Sequence, residues 1–151
     1  MITYSALVAW LLALPLYQGI ARPPEFALAI AEVALEQSPD APEQLAATLD
    51  LIAAHESRYL LTARGDAGRS IGAYQTPRHR TPATLAGQTR LAARILSEAS
   101  RACPAHPLWA YASGRCLPSY AARDMERSVS RALAAAPALE RAELAGLRLE
   151  P

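Results

Sequence analysis

The chain has 151 residues, 52% of them hydrophobic but only 6% aromatic, and a formal net charge of +1. That length fits a single domain with a real core, and a near-neutral balance of interspersed signs excludes the basic footprint of a nucleic-acid binder. Alanine accounts for 34 residues and arginine for all 15 basic ones, with lysine and asparagine absent. The alanine excess and the scarcity of aromatics argue for closely packed helices, while the arginine bias spans every region and reads as a codon-composition effect.

The first charge is Arg22, so Met1 to Ala21 is an uncharged stretch with an apolar centre from Ala6 to Leu16. Thr3, Ser5, Pro15, Gln18 and Gly19 interrupt it too often for a membrane span, and it lacks the basic start and small-residue cleavage site of a secretory signal. It reads as an uncleaved first helix that packs on the domain or tethers it to a partner; a membrane-associated helix is the alternative. Residues 22–151 then form one domain.

Pro23-Pro24 signals the start of a second helix, in which Phe26, Ile30 and Val33 recur at helical spacing and which stops before Ser38-Pro39. Asp40 reads as the N-cap of a third, with Pro42 in the first turn and Glu43 completing a capping box. That helix carries Leu45, Leu49, Ile52 and Glu56 and ends near Tyr59. From Thr62 to Arg80 the periodicity disappears and Gly65, Gly68, Gly72 and Pro77 punctuate a long irregular loop, the kind of segment that is functional or disordered. No strands are expected there. His79, between two arginines, reads as solvated, and Arg64-Gly65-Asp66, a tripeptide known from adhesion ligands, is too short to carry weight.

Thr81-Pro82 reads as the start of a long fourth helix whose apolar side is Leu85, Ala92, Ile95, Leu96 and Ala99 and which ends near Cys103-Pro104. A short helical turn over Leu108 to Tyr111 follows, closed by Gly114. Ser119 caps the next helix, with Met125, Val129 and Leu133 on its buried face. Arg123, Arg127 and Arg131 form a row on another face, a solvated stripe or a contact with an acidic partner. Pro137 breaks this helix and Ala138 to Leu147 reads as a last short one. The fold expected is all-α, a compact single domain with the irregular loop at 62–80 and no internal repeat.

Cys103 and Cys116 bracket a segment with Pro104, Pro107 and Gly114. Joined, they close a loop worth about 3 kcal/mol in an oxidising compartment; the alternative is two unrelated buried thiols. Without paired histidines nearby they do not make a zinc site.

Glu56 stands out. With Leu45 at zero on a helical wheel, Leu49 falls at about +40°, Ile52 at about −20° and Glu56 at about +20°. A carboxylate in the middle of an apolar stripe is costly to desolvate, which raises its pKa and makes a general acid. The plainer reading is that the stripe has ended and the carboxylate has turned to solvent.

His55-Glu56-Ser57-Arg58-Tyr59 is followed by Gly72-Ala73-Tyr74-Gln75, a long helix and Trp109-Ala110-Tyr111-Ala112-Ser113-Gly114. In this order and spacing the chain, from Leu49 to Leu133, resembles the lysozyme-like lytic transglycosylases that cleave bacterial peptidoglycan. The resemblance implies a lysozyme-like fold, Glu56 as catalytic acid, Ser57 as the serine that orients the bound sugar, and Gly72 and Gln75 as cleft-lining residues. It also implies Tyr111 as the tyrosine that approaches the catalytic carboxyl and Gly114 as its motif glycine. Tyr74 stands where the family usually has methionine and would line the cleft, and Ala112 replaces a usual asparagine.

The implied chemistry needs no cofactor. Most glycoside hydrolases use two carboxylates; this family uses one, because the 2-acetamido group of the substrate serves as internal nucleophile and the product carries a 1,6-anhydromuramoyl end. Asp66 is the only candidate for a second carboxylate; an Asx-turn in Gly-Asp-Ala-Gly is its plainer role. Were it to face Glu56 across a sugar, a hydrolytic lysozyme would be the expectation instead. The partners implied are glycan strands and, through the first helix, the structural proteins of a phage particle or a secretion apparatus at the cell envelope or in the periplasm. A rival of a different class is an assembly protein that keeps the fold without using it.

Overall fold

The computed structural model describes residues 2–136 and is mainly helical. Its helices are α1 (Tyr4–Ala13), α2 (Pro24–Gln37), α3 (Pro42–Ser57), α4 (Leu85–Ala102), α5 (Pro107–Ser113) and α6 (Tyr120–Ala135), with a 3₁₀ turn at Tyr17–Gly19. The short helix expected over Ala138 to Leu147 lies outside the described residues.

Helix α3 is the axis of the molecule. It packs against α1, α2, α4 and α6, and its buried residues run nearly all round it, from Ala46 and Ala47 through Leu49, Asp50 and Ile52 to Ala53 and Ala54. Alanines on α2 and α3 let the backbones approach closely, and Phe26, Ile30 and Val33 fill the space between, as the spacing predicts. Each fully buried side chain of this kind contributes roughly 1.5–3 kcal/mol.

The apolar start of the chain belongs to this core. Leu7 and Leu11 of α1 are fully buried beside Trp10, and the Tyr4 hydroxyl donates to the Leu28 carbonyl of α2 at 3.3 Å. Of the roles open to it, packing on the domain is the one displayed. No helix among the described residues is long and apolar enough to cross a membrane.

Three expectations need correction. The N-cap of α3 is Ala41 and no side chain caps it; Ser38 instead turns its hydroxyl to the Ala41 carbonyl, Asp40 stays exposed, and a buried oxygen of Glu43 lacks a partner, so no capping box forms. Helix α4 starts at Leu85 with Thr84 accepting from the Gly87 N–H at 3.1 Å. Thr81 is not free to cap it, because its hydroxyl bonds the Thr76 hydroxyl at 2.7 Å and the Pro77 carbonyl at 2.8 Å. Finally, the 62–80 segment is not wholly irregular. It holds a small antiparallel sheet, β1 (Arg64–Gly65), β2 (Ser70–Ile71) and β3 (Thr76–Pro77), in that order, with Arg64 opposite Ile71 and Ile71 opposite Thr76. Strands this short leave no alternation to read in a sequence.

Candidate active site

Glu56 occupies the last turn of α3, where the chain reverses sharply. The Tyr59 N–H donates to the Ala53 carbonyl at 3.1 Å and the Arg58 N–H to the Ala54 carbonyl at 3.0 Å, the double bond pattern that closes a helix through a left-handed residue. Arg58 and Tyr59 take φ of 54° and 62°, a conformation that costs non-glycine residues of order 1 kcal/mol each. The anchor that holds it is Tyr59: its ring is buried edge-on to Phe26 at 5.0 Å and its hydroxyl donates to Asp50 at 2.9 Å.

The Glu56 side chain is 25% exposed, and Oε1 lies 3.3 Å from His55 Nδ1. Its hydrogen bond to Glu56 raises the His55 pKa against the opposing effect of burial, and the Glu56 and Asp124 charges add to the rise. Behind His55 stands Tyr17, ring centroids 5.8 Å apart, whose hydroxyl donates to Asp124 at 3.0 Å; burial first, then that bond, push the Tyr17 phenol up to about 12.

The deeply buried carboxylate of α3 is a different one. Asp50 is 6% exposed and receives Arg22 Nε at 2.5 Å and Nη2 at 2.6 Å in addition to the Tyr59 hydroxyl. Burial works to lower the Arg22 pKa, and the bond to Asp50 together with its charge outweighs it. The Tyr59 phenol is raised, by burial and then by Asp50. The expectation of a single carboxylate within the apolar surface of α3 is therefore corrected: Glu56 sits at the edge of the apolar region and Asp50 inside it.

The loop is held to α4 by Gln88, a 3% exposed residue that the sequence reading missed. Its Oε1 accepts from the Ala73 N–H at 2.8 Å, and its Nε2 donates to the carbonyls of Leu61 at 3.3 Å and Pro82 at 3.1 Å. Gly72, at φ +84°, lies directly against this amide, and a Cβ there would collide with it. Gln75 folds back over Gly65, whose missing side chain leaves the room, and donates from Nε2 to the Gly72 carbonyl at 2.9 Å. Gly72 and Gln75 thus shape the loop from within.

Tyr111 ties α5 to the loop. Its hydroxyl donates to the Tyr74 carbonyl at 3.0 Å, and its pKa is raised by burial first and next by the neighbouring Glu56 charge. Helix α5, which carries it, ends on Gly114 in the left-handed conformation and is bracketed by a Cys103–Cys116 disulfide. Tyr111 is thus bonded to the loop through the Tyr74 backbone, next to Gly72 and Gln75, and feels the Glu56 charge.

Other predicted site residues have their polar atoms engaged within the fold. Ser57 is buried, donating to the Ala53 carbonyl and accepting from the Leu60 N–H, both at 3.1 Å, so it caps the turn. Tyr74 does not line a cleft: its ring is 1% exposed and its hydroxyl meets Thr89 at 3.1 Å, with burial raising the phenol. Asp66 is exposed, accepting from the Ser70 hydroxyl at 2.8 Å while its carbonyl takes Arg69 Nε at 3.1 Å. Both contacts are local, and neither is the backbone bond of an Asx-turn. His79, Ala112, Arg123, Arg127 and Arg131 are all exposed.

Glu56 does not line any of four concavities found on the described surface. The described residues contain no group of three or more side chains suited to hold a metal ion. Compared with known proteins, the chain matches no family model, no curated protein and no solved structure.

Proposed function

We propose that the chain is a peptidoglycan lytic transglycosylase with a lysozyme-like fold and Glu56 as its single acid and base. The observation that carries this reading is Glu56, a partly exposed carboxylate at a helix terminus, whose charge reaches Tyr111, itself tied to the loop through the Tyr74 carbonyl. Glu56 protonates the glycosidic oxygen between MurNAc and GlcNAc as that bond breaks, and the substrate's 2-acetamido oxygen bonds to the anomeric carbon. The carboxylate left behind then takes the proton of the 6-hydroxyl, whose oxygen displaces the acetamido group and closes the 1,6-anhydro ring without water. The Tyr111 hydroxyl, bonded to the Tyr74 carbonyl, fixes the turn against which the sugar would lie.

Asp66, exposed and engaged with Ser70, gives the hydrolytic alternative little support. Mass spectrometry of products from purified sacculi separates the outcomes: anhydro ends are expected, and reducing ends would mean hydrolysis with water. A second reading, an assembly protein with an inactive fold, draws on the internal bonding of Ser57 and Tyr74. No released product from sacculi at any protein concentration would favour it. On either reading a larger assembly at the cell envelope, such as a phage particle or a secretion machine, is a natural setting. The outward apolar side chains Tyr4, Leu12 and Leu16, each over 40% exposed, offer a surface for its proteins.

A further inference from the structure

A concavity of about 530 Å³ lies away from Glu56, between the N-terminal half of α3, the end of α4, the start of α5 and the middle of α6. This is within the range of small-molecule sites, roughly 300–1,000 Å³. Leu45, Leu96, Leu108 and Val129 give it an apolar floor. Its polar wall has a consistent sense. Ser38 donates its hydroxyl hydrogen to the Ala41 carbonyl at 3.2 Å, Thr48 to that of Gln44 at 2.7 Å and Ser100 to that of Leu96 at 2.9 Å. Each of these oxygens is left with lone pairs as its remaining hydrogen-bonding capacity.

Glu126 adds a carboxylate to the same wall, and no lysine or arginine lines the cleft. Trp109 Nε1 donates to Glu126 Oε2 at 2.9 Å and His106 Nδ1 meets Oε1 at 3.1 Å, while the two rings stack at 3.8 Å with planes 6° apart. This clamp fixes the carboxylate in position, and each oxygen retains capacity to accept again. Donors at the rim come from Gln44 and Ser130, both exposed, and from the His106 ring, which also lines the cleft and is engaged with Glu126.

We propose that this cleft binds a small amphiphilic cation, an alkylammonium or alkylguanidinium group whose head meets Glu126 and the turned-out hydroxyl oxygens while its aliphatic stem covers the leucines. Charge complementarity selects the occupant: an apolar floor beneath acceptors and one held carboxylate accommodates a cation on a greasy stem and disfavours an anion of the same shape. The site does not include Glu56, so it stands or falls separately from the proposed activity.

The test uses the full chain and n-hexylammonium as probe, followed by the Trp109 indole N–H resonance, with the Trp10 resonance as internal reference. Saturable movement of the Trp109 signal is expected, with hexan-1-ol and hexanoate at least about tenfold weaker. Glu126→Gln should weaken hexylammonium by at least about tenfold, and Ser130→Arg, which places a fixed cation at the exposed rim, should weaken it without disturbing Trp109 contacts. The acetylated dipeptide amide Leu-Lys, run in parallel, identifies the source: tighter binding than hexylammonium points to a basic segment of a partner protein, weaker binding to a free amine. The proposal is overturned if hexan-1-ol or hexanoate binds as well as the ammonium, if the Trp109 signal does not move, or if both variants bind like the unaltered chain.

Discussion

Two carboxylates on one helix have opposite fates. Asp50 lies inside, neutralised by Arg22 and bonded to Tyr59, and its work is to fix the turn that follows Glu56. Glu56 lies at the rim, 25% exposed, with its carboxylate 3.3 Å from the His55 ring. The difference teaches that the more buried acid of a helix need not be the reactive one: a buried, ion-paired carboxylate is closed to a substrate, whereas one at a rim keeps its access.

The comparison breaks first at Asp50. Asp50→Ala leaves the Arg22 guanidinium buried without its partner and should cost about 3–5 kcal/mol, read as a fall in the urea midpoint; a loss below about 1 kcal/mol would mean the pair is not desolvated as its geometry implies. Next comes the disulfide. Replacing Cys103 and Cys116 by serine should cost about 3 kcal/mol, measured by thermal unfolding, with α5 and Tyr111 loosened ahead of α3 in amide exchange. Gly72→Ala should follow at about 2 kcal/mol, since it combines a left-handed backbone with a collision against Gln88, and should broaden the amide signals of Ala73 and Gln75.

The smallest effect belongs to His55. Because its folded pKa is raised above the ordinary 6.5, the stability it contributes is fully present below about pH 6.5 and fades as pH rises through the folded value. His55→Gln should flatten the dependence of the unfolding midpoint on pH in that window alone. An unchanged slope would separate His55 from Glu56 in solution.

Much of this was legible in the sequence, for identifiable reasons. Helices α2, α4 and α6 carry apolar residues at regular spacing, and Ser119 caps α6 through the Ala122 N–H, so their existence followed from periodicity. Gly114 likewise marked the end of α5. Asp50 was invisible because it falls at about 140° from Leu45 on the wheel, where a helix with one buried stripe meets water; α3 is enclosed by four helices and has no such side. Gln88 did leave a signal, a polar residue three positions after Leu85 on the apolar face of α4, and its meaning became clear only with the Ala73 N–H beside it. Tyr74 looked like a cleft residue because its motif position suggested one, while the ring points inward to Thr89.

The central claim, that Glu56 is the acid, is tested most directly by Glu56→Gln assayed on purified sacculi beside the unaltered chain, with both unfolding midpoints measured. The account predicts loss of glycan cleavage by at least about 10²-fold with stability changed by no more than about 0.5 kcal/mol. Full activity in a folded Glu56→Gln protein would contradict it.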